Sequence, residues 1–435
     1  MNPSRQGCIE AWVPRGLVSA VAGGPALEAT AEGLLPLSVH WNQGKITRLE
    51  PIGLQRPEPR QLLLPRLVEP HAHLDKAFSW REAQNLAGTY EGALAANLAE
   101  HRSRDRNLVL KRAGRALHHG LGHGLRAVRS HVDSLGPAAD GSWEALLELQ
   151  RQWRGRMELQ LVALRPLDQW TSSSGRQLAA RVARSGGLLG IVLGPPCHGS
   201  DTCRALGQIL GLADQLGCGI DLHIDEASTD PGAGLRQLIR VLQQNRIEVP
   251  ITCSHASSMS LLPATPLRRL AEQLACHQVG VVALPLTNAW LLGRQIGATP
   301  VQRPIAPIRQ LQRAGVTVAV GGDNVQDPWF PAGNFDPLAL MAMALPLAQL
   351  APWQRLGLAP FTTAAAQLLG LAWNGTLFPG APADLILLDA SSWAEALASP
   401  PRRRVLVEGG WLEPACRDDL PQTQTMPIAD VGSGR

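Results

Sequence analysis

Five short segments far apart in the chain each end an apolar run with a side chain able to ligate a metal or move a proton: Pro70-His71-Ala72-His73-Leu74-Asp75-Lys76, His131-Val132-Asp133, His223-Ile224-Asp225-Glu226, Ser254-His255 and Gly321-Gly322-Asp323-Asn324. In the first, His71 and His73 lie two residues apart at the end of the run 62–68. Strand side chains two apart share a face, so both imidazoles can meet one ion. An ordered series of this kind points to metal-assisted hydrolysis.

The elements that must position these groups read as strands. His223 follows Gly219-Ile220-Asp221-Leu222, His255 follows Val249-Pro250-Ile251-Thr252-Cys253-Ser254, and Asp323 follows Val316-Thr317-Val318-Ala319-Val320, each a buried strand running into a polar group. Strands are expected near 62–69, 125–132, 158–164, 189–194, 219–224, 249–254, 279–284 and 316–321, alternating with helical patterns such as 144–153, 204–216 and 261–277. Eight is the strand number of the (β/α)8 barrel, whose C-terminal strand ends converge on one face. His198, closing Gly194-Pro195-Pro196-Cys197-His198, ends the fourth of them.

The whole chain fits that plan. At 435 residues and 45% hydrophobic it can hold one large domain and a smaller one. The expected division is a barrel over 61–372 and a small β-sandwich domain built from 1–60 and 373–435, where short strands such as 37–39, 45–47, 383–388 and 404–410 are broken by glycine and proline. A formal charge of +4, with 4% aromatic residues and no polybasic run, suggests neither a nucleic-acid groove nor a stacking platform. No signal-peptide profile opens the chain and no apolar stretch could span a bilayer, so a cytoplasmic protein is expected. A homo-oligomer is compatible with these residues. The seven cysteines are odd in number and scattered, as in a protein with reduced thiols and no Cys-x-x-Cys metal pair.

Together, Val68-Glu69-Pro70-His71-Ala72-His73-Leu74-Asp75, His223-Ile224-Asp225-Glu226, Thr252-Cys253-Ser254-His255, Pro285-Leu286-Thr287-Asn288, and Gly322-Asp323-Asn324-Val325-Gln326-Asp327-Pro328-Trp329 resemble the bacterial cytosine deaminase branch of the amidohydrolase superfamily. The resemblance runs almost end to end. It implies a distorted barrel with one divalent ion, Zn2+ or Fe2+, held by His71, His73, His223 and Asp323. An ion so held lowers the pKa of water from about 15.7 toward about 7. The lysines are Lys45, Lys76 and Lys111, so a carbamylated lysine on a middle strand, the bridge of two-metal relatives, cannot be supplied and a single ion is expected.

The same resemblance implies proton work for Asp323, Glu226 and His255: accepting from the attacking water, delivering to a ring nitrogen, and orienting and stabilising charge. The expected reaction is hydrolytic removal of ammonia from a small nucleobase-like heterocycle, cytosine leading. Cytosine deaminases carry a recognition glutamine after the third strand, where this chain reads Val162-Ala163-Leu164-Arg165-Pro166-Leu167-Asp168-Gln169-Trp170. Gln169 is the candidate to replace it. Asn324 stands where the family commonly has a second aspartate. Lys76, His131, Asn324 and Trp329 are further candidates for substrate contact. Lys76 also resembles the triazine relatives that release an alkylamine from an ammelide ring, the alternative activity. A catalytically silent barrel that binds a heterocycle is the alternative of another class.

Overall fold

The computed structural model describes residues 5–19, 28–53, 56–197, 199–399 and 401–413; His198 and the C-terminal tail lie outside the described residues. Two sheets organise the chain. The first holds β1 (Gly7–Pro14), β2 (Leu34–Asn42), β3 (Lys45–Pro51) and β4 (Leu62–Pro65) from the N-terminal part. Eight parallel strands follow: β5 (Leu67–Ala72), β6 (Leu125–Asp133), β7 (Glu158–Pro166), β8 (Leu188–Leu193), β9 (Ile220–Ile224), β10 (Ile251–His255), β11 (Gly280–Ala283) and β12 (Val318–Val320). From the C-terminal part, β13 (Leu385–Leu388), β14 (Arg403–Val407) and β15 (Gly410–Trp411) return to the first sheet, whose order is β15-β14-β13-β4-β1-β2-β3.

Strands β5 to β12 pair in sequence order. A parallel bridge between Ala72 and Asp323 closes the ring beyond the end of β12, so the architecture is a nearly closed (β/α)8 barrel with a small sheet domain made from both chain ends. Helices cover the outside, among them α1 (Tyr90–His101), α2 (Arg106–Gly122) and α3 (Ala139–Gln152). Two more span Ser200–Leu216 and Ala264–Cys276, close to the helical patterns expected from sequence. The barrel strands read as continuous apolar runs because both faces are buried, one by the interior and one by helices. The main core accordingly joins strand residues such as Leu189, Ile191 and Leu222 to helix residues such as Leu206, Leu210 and Leu238.

The apolar run at 62–69 is not one strand. It is broken at Arg66: β4 ends at Pro65 and pairs antiparallel with β13 in the small sheet, and β5 begins the barrel at Leu67. Arg66, 2% exposed, donates to the carbonyls of Leu125 and Arg156 and faces Asp384, so the crossing between sheets is held by a buried cation. Among the described residues no helix is long and apolar enough to cross a membrane.

Candidate active site

The C-terminal ends of β5, β9 and β10 and the turn after β12 bring the sequence-selected groups to one place. Asp323 Oδ1 lies 3.4 Å from His71 Nε2 and 3.3 Å from His73 Nε2, and His223 Nε2 is 3.4 Å from His73 Nε2. His71 Nε2 and both Asp323 carboxylate oxygens are buried with no hydrogen-bond partner among the described residues. Buried polar atoms are ordinarily satisfied. Imidazoles and a carboxylate are the donor types of a divalent-ion site, and the ligand atoms of His71, His73 and Asp323, like those of His71, His223 and His255, lie within 4.8 Å of one another, close enough to hold one.

Electrostatics agree with that arrangement. Burial lowers the pKa of His73 and, with neighbouring imidazoles, takes His223 well below its ordinary value, leaving both neutral with lone pairs to offer. Burial alone would raise Asp323, but the adjoining His71 and His73 rings outweigh it and hold the carboxylate well below the usual range.

The tautomer of His71 follows from its neighbours. Ser254 Oγ donates to Asp221 Oδ1 at 2.7 Å, which uses its single proton, so its 2.8 Å contact with His71 Nδ1 has the imidazole N–H donating. Nε2 is then the bare nitrogen. Arg129 Nη1 donates to Asp221 Oδ2 at 2.8 Å and anchors the far end of this relay. Neither Asp221 nor Ser254 was singled out from the sequence.

Glu69 was also missed. Its carboxylate accepts from the backbone N–H of His71 (3.1 Å) and of Gly322 (3.0 Å), which ties β5 to the turn bearing Asp323. The approach is close. A Cβ on Gly321 would lie 2.8 Å from Glu69 Oε1 and 3.2 Å from the His71 Cβ, so glycine precedes the aspartate because a side chain has no room. Burial raises the Glu69 pKa to about 8.

His255 and Asp323 both adopt left-handed backbone angles, φ 70° and 63°. For residues other than glycine these are uncommon and concentrate where side chains are aimed for function. Asn288 Nδ2 donates to His255 Nδ1 at 3.0 Å, which leaves the ring proton on Nε2. Glu226 Oε1 approaches the same Nδ1 at 3.4 Å. Burial pushes Glu226 well above the carboxylate range, with Asp323 adding to the shift, and takes His255 down to about 3. Asp225 does structural work, accepting from the N–H groups of Gly234 and Leu235 at the start of the helix Ala233–Gln244.

These groups form the floor of a cleft of about 210 Å³, bordered by His73, His223, Glu226, His255 and Asp323. Lys76, Asn324 and Trp329 line it as well. Lys76 Nζ donates to Asp133 at 3.1 Å and sits 5.8 Å from the centre of the Trp329 ring. Asp133 in turn faces Arg104, which also holds Asp75 and Glu100. Burial would lower the Lys76 pKa, but Asp133 and Asp75 outweigh it and raise it. Asn324 donates to Asp327, whose other oxygen accepts from the Trp329 and Phe330 N–H groups, so the Asp-Pro-Trp turn is a rigid wall.

Two sequence candidates are not brought to the cleft. His131 lies beneath it, stacked on His71 with ring centres 3.8 Å apart and Nε2 3.7 Å from Asp221. Gln169 sits in the 3-10 segment Leu167–Thr171, its amide donating to Asp168. The turn begins after Pro166, which ends β7, and carries Gln169 past the mouth. The residues of β7 that do line the cleft are Leu164, Arg165 and Pro166. One face of α1 contributes Tyr90, Leu94, Asn97, Leu98 and His101. That spacing marks a single helical stripe, and it looks into the cleft; Leu94 is 43% and Leu98 54% exposed.

Residues 191–413 match the model of the Amidohydrolase family. The chain belongs to this family and is a hydrolase acting on C–N bonds. It is similar to a pterin deaminase of Rhizobium rhizogenes, 30% identical over 392 residues that make up 88% of each chain. A crystal structure of 5-methylcytosine deaminase from Klebsiella pneumoniae, liganded with 5-fluorocytosine, matches the fold with a TM-score of 0.78 at 23% identity, covering 93% of this chain and 96% of that one. N-isopropylammelide isopropylaminohydrolase from Burkholderia multivorans matches with a TM-score of 0.70 at 25% identity over 92% and 97%.

Proposed function

We propose that this chain is a metal-dependent hydrolytic deaminase that replaces the exocyclic amine of a flat 2-amino-4-oxo heterocycle of the pterin class with a carbonyl, releasing ammonia. The observation that carries this reading is the meeting of bare imidazole and carboxylate ligand atoms with Glu226 and His255 on the floor of one cleft. His71, His73, His223 and Asp323 would hold a single divalent ion, zinc or iron, which would supply Lewis-acid activation of water.

The chain's own residues do the rest. Asp323 has a second carboxylate oxygen to take the proton of the attacking water. Glu226, kept protonated by burial, gives its proton to the ring nitrogen beside the attacked carbon, which removes the ring's aromatic resistance there. His255 directs its Nε2–H at the developing negative oxygen. The new C–O bond forms, Glu226 takes up the proton of the added hydroxyl, the C–N bond breaks, and the amine leaves as ammonia with the proton that Asp323 took from water. Trp329 and the α1 stripe offer flat apolar contact for the ring, and the 30% identical relative directs the choice to pterin before cytosine.

The test is ammonia release by the metal-loaded protein from pterin, cytosine and N-isopropylammelide, with isopropylamine measured for the last. Ammonia from pterin is expected to lead. No release from any ring would remove the deaminase reading in favour of a silent ring-binding barrel, and isopropylamine alone would favour the triazine activity. Metal retention has its own check. Ser254→Ala frees the His71 ring from the Asp221 relay, and such outer partners are typically worth about 10–100-fold in metal affinity, so competition with a chelator should strip the variant at correspondingly lower chelator concentration. Equal retention would detach the relay from metal holding.

A further inference from the structure

Arg165 is 5% exposed and lines the cleft from the end of β7. Its Nε is buried without a hydrogen-bond partner. Among the described residues its guanidinium has no ion pair or hydrogen bond, and its one contact of note is the Trp170 ring, 5.9 Å from centroid to guanidinium carbon. The other buried arginines differ. Arg66, Arg104, Arg112 and Arg129 each face a carboxylate. A guanidinium carries five N–H donors in a fixed fork and rarely gives up its charge, so a buried one left unpaired beside a reactive floor is a donor pair waiting for acceptors.

Among the described residues nothing acidic in the cleft answers it: Asp133 is engaged by Lys76, Arg104 and Asn97, Glu226 approaches His255, and Asp323 faces His71 and His73. The acceptors must come with the substrate.

We propose that Arg165 is a specificity-determining residue that reads two neighbouring acceptor atoms on the substrate, a ring carbonyl oxygen and the adjacent nitrogen of a second fused ring. In a 2-amino-4-oxopteridine these are O4 and N5, arranged as the O6 and N7 acceptors of guanine are, the pair that an arginine fork grips bidentately. A single pyrimidine ring carries no such pair. Arg165 would thereby select bicyclic over monocyclic rings from the same strand end at which monocycle deaminases were expected to carry glutamine. The inference rests on the deaminase reading for its choice of ring, but its test is binding and needs no turnover.

The probes are the deaminated product, 2,4-dioxopteridine, which keeps O4 and N5, and its 5-deaza analogue, in which a C–H replaces N5. Equilibrium titration of the metal-loaded protein should give about tenfold or more tighter binding of the dioxopteridine than of the deaza compound. Arg165→Gln and Arg165→Lys should both lose that discrimination, lysine included because a point charge cannot span two acceptors, while metal content and melting temperature stay at the wild-type values. Wild-type protein that binds the two probes equally, or binds neither, overturns the inference. So does an Arg165→Gln variant that still distinguishes them. Absence of ammonia from pterin alongside intact discrimination would instead count against the deaminase reading alone.

Discussion

Asp323→Asn should reduce turnover by at least about a thousandfold, because in the proposed reaction one side chain both holds the ion and accepts the proton of water. The carboxylate is buried, neither oxygen has a hydrogen-bond partner among the described residues, and two imidazole nitrogens face it at 3.3 and 3.4 Å. An amide of the same outline has no charge to offer a cation, cannot take up a proton in any accessible pH range, and turns an NH2 group toward lone pairs if it flips. The loss should not be one of folding. Asparagine tolerates the left-handed backbone at φ 63° at least as well as aspartate does, and the bond from the residue 323 N–H to the His71 carbonyl involves only main chain. Metal analysis after dialysis should therefore find a depleted site in a protein that melts where the parent does. Full metal occupancy with turnover near the parent's would mean that residue 323 is neither ligand nor base.

Which parts of this site could be read from the chain alone depends on whether a residue's role is advertised by its immediate neighbours. His71 and His73 stand two apart at a strand end, and His223, His255 and Asp323 each follow an apolar run, so strand geometry alone delivers all five to one rim. The barrel's strand positions were legible for the same reason: a strand buried on both faces leaves an unbroken apolar signature. The exception, at 62–72, is instructive. Hydropathy does not register the change of sheet at Arg66, because both β4 and β5 are buried.

The supporting residues were hidden for a different reason. Glu69 and Asp221 are single acids inside apolar strands, and their partners are the main chain of residue 322 and the hydroxyl of Ser254, remote in sequence. Nothing local distinguishes such an acid from one at a solvated strand edge. Arg165 carries no amide and so lacks the expected recognition group, which Gln169 offers in the turn beyond; Pro166 ends the strand and leaves Arg165 as the last polar side chain of β7 lining the cleft. Chain direction at that proline decides which residue meets the substrate, and it is a property of backbone geometry that residue type does not carry.

Glu226→Gln is expected to keep the ion and lose the reaction, with turnover falling by about a hundredfold or more. Glu226 belongs to none of the groups that could hold an ion among the described residues, so metal content should match the parent. Burial first and Asp323 second raise its pKa, which favours the neutral acid over the carboxylate, and exchanging one neutral group for another disturbs the cleft's electrostatics little. Contact with His255 can persist through the amide. What disappears is the ability to surrender a proton to the ring nitrogen and take one back before the amine departs, and an amide N–H does neither. The change should therefore fall on kcat, with KM and the binding of the dioxopteridine product nearly unaltered. This division separates a proton donor from a group that merely shapes the pocket, whose removal would raise KM and weaken product binding together. It also bears on the silent-barrel alternative, since a protein that only bound rings would have no rate for the substitution to remove. Turnover in the variant within about threefold of the parent, with metal in place, would take Glu226 out of the chemistry.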